Sequence, residues 1–306
     1  MDWDPRRLPN ASDSTIVITG ANAGIGFFVA AQLAGAGARI VLACRDESRA
    51  QAAMAAIRAR VPGASLSFLS LDTSDLDSVR AAADGILSLE RVDVLIENAG
   101  MVHAPRERAA DAAGNELVLS TNLLGHFALT ALVMPVLRAT PGSRIVLLGS
   151  LISRLYDFRI GDLQLRAHYS AARAYAHSKI GMQSFGFELD RRLRVAAAGP
   201  AAIVAHPGYS ISGLTATIPG VNEPSAGTRL VDALQAPMAQ SKERGAWPIV
   251  RAAIDPEVQG GQYWGPRLVT RGRPVLQSPT HGSTDPAVAA ELWAKLEEYT
   301  GVPFDV

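Results

Sequence analysis

Ile16-Val17-Ile18-Thr19-Gly20-Ala21-Asn22-Ala23-Gly24-Ile25-Gly26, followed by the apolar, alanine-rich stretch Phe27–Leu33, decides the fold. A β-branched apolar run, a glycine turn and a helical pattern in that order read as a strand, a turn and a helix start. Glycines in such a turn allow positive φ and let the backbone come close to a ligand. The free N–H groups and dipole of the helix N-terminus attract a phosphate, so Gly20, Asn22, Gly24, Ile25 and Gly26 are the expected phosphate cradle. Ordinary tight turns use the same pattern, and a second feature is needed to decide between the two uses.

Outward from this turn, short apolar runs alternate with longer helical patterns. Ile16–Thr19, Arg39–Ala43, Leu66–Leu69, Val92–Glu97, Arg144–Leu148 and Ala202–Ala205 read as strands. Asp46–Arg60, Leu76–Leu89, Leu117–Leu137 and Tyr175–Arg194 read as helices. Continuously apolar strands separated by helices imply an α/β fold, a doubly wound parallel sheet of Rossmann type with helices on both faces. Right-handed crossovers would put its ligand crevice at the carboxyl ends of the strands. A chain of 306 residues, 48% hydrophobic, suffices for one such domain over 15–306, with 1–14 as a flexible arm. The stretch from about 209 to 255, rich in Gly, Pro and Ala, breaks the strand rhythm and reads as a substrate lid.

The formal net charge is zero, which gives no reason to expect nucleic acid or an anionic membrane as a partner. Residues 1–14 are polar with no apolar core, so no signal peptide or membrane span is expected there. A lone cysteine, Cys44, cannot form an internal disulfide, and the expected location is cytoplasmic. His126, His177 and His206 lack metal-ligand spacing, and no metal is expected. Pairing into a homodimer is left open.

The second feature is Tyr175-Ala176-His177-Ser178-Lys179, which puts a phenol and an ammonium on one helix face. A phenol normally loses its proton near pH 10; an ammonium within about 4–6 Å lowers that value toward the range where proton transfer is efficient. Only three of the 29 basic residues are lysines (Lys179, Lys242, Lys295), so a lysine here stands out. Its compact charge suits work in a pocket better than a planar guanidinium.

Together the two motifs resemble the short-chain dehydrogenase/reductase family, whose patterns T-G-x-x-x-G-x-G and Y-x-x-x-K both match without a gap. The resemblance spans Thr15 to about Ser212 and implies a nicotinamide dinucleotide, with Asn122, Ser150, Tyr175 and Lys179 as the catalytic set. Tyr175 would be the acid/base, and Lys179 would lower its pKa and bind the nicotinamide ribose. Ser150 would orient the substrate oxygen, and Asn122 would hold a water joining Lys179 to solvent. By the same resemblance Asp72 contacts the adenine ring and Asn98-Ala99-Gly100 lets backbone approach the ribose. Pro207-Gly208 follows the sixth strand, and Ser212 faces the carboxamide. Glu97 departs from the family's N-N-A-G, which puts a local structural hydrogen bond in question.

The tip of the second strand carries Arg45. A carboxylate there would accept from the 2′-OH of NAD, whereas an Arg can pair with the 2′-phosphate of NADP, so NADP(H) is the expected cofactor. Asp46 reads as a helix cap. Ser150 and Tyr175 stand 25 positions apart, against about a dozen in most members. That spacing resembles the branch containing retinol dehydrogenases and protochlorophyllide reductases. Tyr169 lies nearer to Ser150, but its fourth neighbour is Arg173. Leu151, Ile152, Leu155, Tyr156 and Phe158 after Ser150, with Tyr209, Ile211, Leu214 and Ile218 in the lid, are the expected walls of an apolar pocket. The expected substrate is a bulky apolar ketone, aldehyde or alcohol. Dehydration or epimerisation with bound NADP, and a non-catalytic NADP-sensing or scaffold role, are the alternatives; the intact four-residue set favours carbonyl/alcohol exchange.

Overall fold

The computed structural model describes residues 3–197 and 199–306; Met1 and Asp2 of the expected arm lie outside the described residues. The six runs read as strands form β1 (Thr15–Thr19), β2 (Arg39–Cys44), β3 (Leu66–Ser70), β4 (Val94–Glu97), β5 (Arg144–Leu148) and β6 (Ala201–Ala205). β7 (Ser210–Ile211) and β8 (Gln240–Ser241) pair apart from the main sheet, which continues instead with β9 (Tyr263–Pro266) and β10 (Pro274–Leu276). Across the sheet the order is β10-β9-β6-β5-β4-β1-β2-β3, parallel except for the antiparallel edge strand β10. The chain winds outward from β1 toward β3 and then returns to β4, which pairs with β1 through Ile18↔Ile96. That reversal opens a crevice at the carboxyl ends of β1 and β4.

Among the described residues the helices are α1 (Gly24–Gly35), α2 (Glu47–Arg60), α3 (Leu76–Leu87), α4 (Leu117–Ala139), α5 (Ala171–Val195), α6 (Ala226–Leu234), α7 (Lys242–Gly245), α8 (Trp247–Ile254) and α9 (Pro286–Thr300). One apolar layer packs Phe27, Phe28, Ile57, Ile249 and Val250 of α1, α2 and α8 against the sheet. The other packs Val79, Phe127, Phe185 and Trp293 of α3, α4, α5 and α9. Phe127 lies 5.3 Å from Phe185 and 5.4 Å from Trp293, edge to face, a geometry that adds to plain area burial. By length and composition α4 could cross a membrane, yet it is mostly buried inside this layer.

Three expectations change. Residues 3–14 are not a loose arm: Trp3 is buried in the first layer, and the Ala11 N–H donates to the Ala36 carbonyl at 2.8 Å. Burying an indole outweighs the entropy of ordering that short stretch. The lid does not run to 255 either, because α8 is a core helix and only the part before α7 stays peripheral. Ile218 is likewise buried among core residues, so it cannot be a pocket wall. β9 and β10 escaped notice because they are short and contain Gly265, Pro266 and Pro274, residues that argue against strands away from an edge. A Cβ on Gly265 would fall 1.9 Å from His206 Nε2, which is why glycine stands there.

Candidate active site

A groove of about 610 Å³ runs across the carboxyl ends of the strands. Arg45, Asp46, Arg49 and Asp72 line one end, Tyr175, Lys179 and Pro207 the other, with Gly20, Asn22, Gly24, Ile25 and Asn98-Ala99-Gly100 between them. Gly20 and Gly24 adopt φ of +66° and +61°, which other residues rarely do. α1 has no side-chain cap at Ala23 and no acidic residue in its first turn, so its N–H groups and positive dipole end are left for an anion. The donor set and open backbone fit a dinucleotide pyrophosphate. Gly26 lies behind this surface: a Cβ there would fall 2.3 Å from Asn98 Nδ2, and that amide donates to the Thr19 carbonyl at 2.8 Å. Gly26 and Asn98 therefore shape the turn from beneath.

At the other end the Tyr175 hydroxyl donates a long hydrogen bond of 3.4 Å to Ser150 Oγ. Ser150 is held in turn by Gln183, whose Nε2 donates to the Ser150 carbonyl at 3.0 Å. Asn122 sits in a π-turn, Ser120–Leu124, within α4. Its Oδ1 accepts from Met101 N at 2.7 Å, and its Nδ2 donates to Met101 O and to Ser178 Oγ. A Cβ on Gly100 would lie 3.1 Å from Asn122 Oδ1 and 3.7 Å from Lys179 Nζ, so only glycine leaves this approach uncrowded.

Lys179 departs from its expected behaviour. Its ammonium donates to the Leu148 carbonyl at 3.0 Å, and burial pulls its pKa down to about 8 against the upward pull of Glu97. Burial also raises the Tyr175 pKa, and the hydrogen bond to Ser150 only partly offsets this. The expected lowering of the tyrosine pKa by Lys179 is thus absent from this arrangement, because desolvation of the phenol dominates.

Pro207 lines the groove, and beside it Gly208, at φ +65°, packs against the Thr270 carbonyl. Ser212 is not among the lining residues; its carbonyl accepts from Thr215 N at 3.0 Å and Asn222 Nδ2 at 3.3 Å. Tyr169 donates to the Pro105 carbonyl at 2.7 Å, which engages its hydroxyl away from Ser150.

The family model described as short chain dehydrogenase matches residues 14–212. The chain belongs to the short-chain dehydrogenase family. Its NAD(P)-binding, Rossmann-type fold agrees with the groove just described. Retinol dehydrogenase 12 of Mus musculus is 39% identical over 201 residues, 65% of this chain and 62% of that protein. The chain thus spans under two thirds of that relative's length in this match. Polyprenol dehydrogenase of Mus musculus is 34% identical over 98% of this chain and 88% of its own length. A crystal structure of an uncharacterised protein from Mycobacterium paratuberculosis, 33% identical, covers all of both chains with a TM-score of 0.81.

Within this short-chain dehydrogenase, sequence reasoning overlooked two side chains, Arg49 and Gln183, and set a third, His126, aside. Arg49 joins Arg45 at the groove end, one helical turn past the Asp46 cap, whose Oδ1 accepts from Arg49 N at 3.0 Å. Gln183, eight residues past Tyr175 on α5, anchors the serine loop. His126 ties α4 to β1: Nδ1 lies 3.2 Å from the Asn122 carbonyl and Nε2 3.0 Å from Thr19 Oγ1. A carbonyl can only accept, so Nδ1 carries the proton and Nε2 accepts from Thr19. Burial holds this imidazole neutral, with its pKa down at about 4. The i,i+4 spacing from Asn122 was visible in the sequence; the threonine across the sheet was not. Cys44 also lines the groove, but burial pushes its thiol up to about 11, which leaves it unreactive.

Asp72 accepts from Ser74 N and Oγ and pairs with Arg45 at 3.3 Å. Burial raises its pKa, yet these bonds hold it below the usual carboxylate range. The Arg45 side chain is 75% exposed, so the pair is screened and leaves the guanidinium available to a ligand.

Proposed function

We propose that this protein is an NADP(H)-dependent oxidoreductase that interconverts a bulky apolar ketone or aldehyde and its alcohol. The observation that carries the reading is the Tyr175–Ser150 hydrogen bond beside buried Lys179, at the end of the groove opposite Arg45 and Arg49. NADP(H) would supply or accept the hydride. Ser150 Oγ accepts from Tyr175 and from Ile152 N, which leaves its own hydrogen for the substrate oxygen. The raised pKa of Tyr175 keeps its proton in place at neutral pH, ready for donation to a carbonyl oxygen. In oxidation the same phenol takes the alcohol proton, with Lys179 four residues further along the same helix face. Asn122 fixes the Gly100–Met101 loop against Lys179, and in our reading Lys179 binds the nicotinamide ribose.

Exposed apolar side chains outside the groove lining are in keeping with the substrate class. Leu155 and Tyr209 are exposed, as are Leu234 and Met238 of the peripheral segment. The two named relatives are a retinol dehydrogenase and a polyprenol dehydrogenase. A cytoplasmic location belongs to the same proposal, in keeping with a single, buried cysteine.

Turnover of NADPH with ketones and aldehydes of increasing apolar size tests the reading. A rise of kcat/KM with apolar area is expected, since burial contributes roughly 25 cal/mol per Å². A flat profile, or a preference for anionic substrates, would count against it.

Cofactor choice is tested separately by fluorescence titration with NADPH and NADH. Arg45→Ala should weaken NADPH by about 1–2 kcal/mol, roughly tenfold, and NADH hardly at all. Adding Arg49→Ala should deepen the loss. Equal affinities for the two cofactors in the unaltered protein would remove the claim.

A further inference from the structure

Glu97 is the last residue of β4 and immediately precedes the groove-lining Asn98-Ala99-Gly100. Its side chain is fully buried, a costly place for a carboxyl group. One carboxyl oxygen takes a hydrogen bond from Thr130 Oγ1 on α4, while the other, Oε2, has no partner among the described residues. Its strand partner on β5 is Leu147, and the next residue, Leu148, offers the carbonyl that receives the Lys179 ammonium. A buried, half-satisfied carboxyl group behind the site gains too little from Thr130 to be explained by stability alone.

We propose that Glu97 is a positioning residue that acts through Lys179, the two forming one buried pair behind the site in which an ionised Glu97 favours the charged ammonium. The inference rests on the reading of Lys179 as part of the active site. Few other groups compete. Lys179 on α5 is the charged residue that acts on Glu97, and each pulls the other toward its ionised form. On α4 the titratable neighbour of Thr130 on the same face is His126, which stays neutral across the relevant range. β1 contributes Thr19 and β5 contributes Leu147 on this side, neither of them charged. The two groups share protons as a pair, and they titrate jointly.

The unusual scarcity of lysine makes the test direct. With ¹³Cε-labelled lysine the full chain gives three resonances, from Lys179, Lys242 and Lys295, and Lys242→Arg and Lys295→Arg assign two of them. In Glu97→Gln, which keeps the shape and a hydrogen-bond acceptor but loses the charge, the Lys179 midpoint should move to lower pH by about one unit, a tenfold change in proton affinity. The other two midpoints should stay in place, and Glu97→Asp should restore most of the shift. Glu97→Asn, a smaller uncharged replacement, should behave as Glu97→Gln does and serves if the glutamine variant fails to fold. A Lys179 midpoint unmoved in both uncharged variants would overturn the proposal. The titration uses no substrate or cofactor, so a chain that turns over no carbonyl compound would defeat the proposed function and leave this result standing.

Discussion

Tyr175→Phe should abolish turnover while leaving NADPH affinity nearly unchanged. The substitution removes one hydroxyl, which is the group aimed at Ser150 at 3.4 Å, and leaves the ring that packs on α5. General acid–base catalysis contributes about 100- to 10,000-fold, and none of it survives without the proton. kcat should fall by that factor with KM little altered, the signature of an interaction made in the transition state. Ser150→Ala should lower kcat less, since the phenol still reaches the substrate. Lys179→Ala should impair both binding and rate. Steady-state kinetics with NADPH titrations separate these outcomes. If Tyr175→Phe keeps most of its activity, Tyr175 is not the proton donor. Tyr169 would then be the next tyrosine to examine, although it would first have to leave the Pro105 carbonyl.

Acidification from pH 6.5 to about 4 should cost several kcal/mol of stability. His126, His177 and His206 are buried, and desolvation is the main reason that each pKa drops to about 4. In the unfolded chain they titrate near 6.5, so between those values the unfolded state binds more protons than the native one. Their contribution is therefore complete above pH 6.5 and lost as the pH falls through 4. Glu97 works in the opposite sense. Burial raises its pKa from 4.5 to about 8, so its contribution is complete below 4.5 and lost as the pH rises through 8. Three imidazoles outweigh one carboxyl group below 6.5, and stability should peak near neutrality. Urea unfolding at pH 7, 5.5 and 4.5 measures the slope. His177 offers the cleanest control, because its ring is buried and packs against Phe158. His177→Leu should fold and lose about a third of the acid sensitivity. An acid slope unchanged by that variant would assign the loss to other groups.

Much of the site was legible because its chemistry is local in the sequence. The glycine turn follows its strand directly, and Tyr175 and Lys179 are four apart on one helix, so spacing alone implies shared faces. Arg45 at a strand tip and Asp46 at a helix N-terminus are equally local. Asp46 accepts from Arg49 N, as a cap should. What escaped was the group of contacts between residues far apart in the chain. Gln183 bonds the loop at Ser150, His126 bonds Thr19, and Glu97 lies where only the approach of α4 and α5 to β4 reveals its partners. The expected effect of Lys179 on Tyr175 failed for a related reason. Spacing brings two groups near each other but says nothing about how much water each keeps.

By itself, the sequence determined the doubly wound sheet, the order of its first six strands along the chain, the glycine turn and the shared helix face of Tyr175 and Lys179. Each of these follows from periodicity or from side chains a few residues apart, and such signals survive without knowledge of neighbours. Only the tertiary structure decided that residues 3–14 are packed down, that α8 belongs to the core and that β9 and β10 complete the sheet. It also decided the electrostatics: Lys179 turned toward Leu148, Tyr175 raised rather than lowered, and Glu97 buried behind both. Desolvation and pairing depend on what surrounds a group in three dimensions, and Glu97 at the end of β4 meets Thr130 and Lys179, both far along the chain.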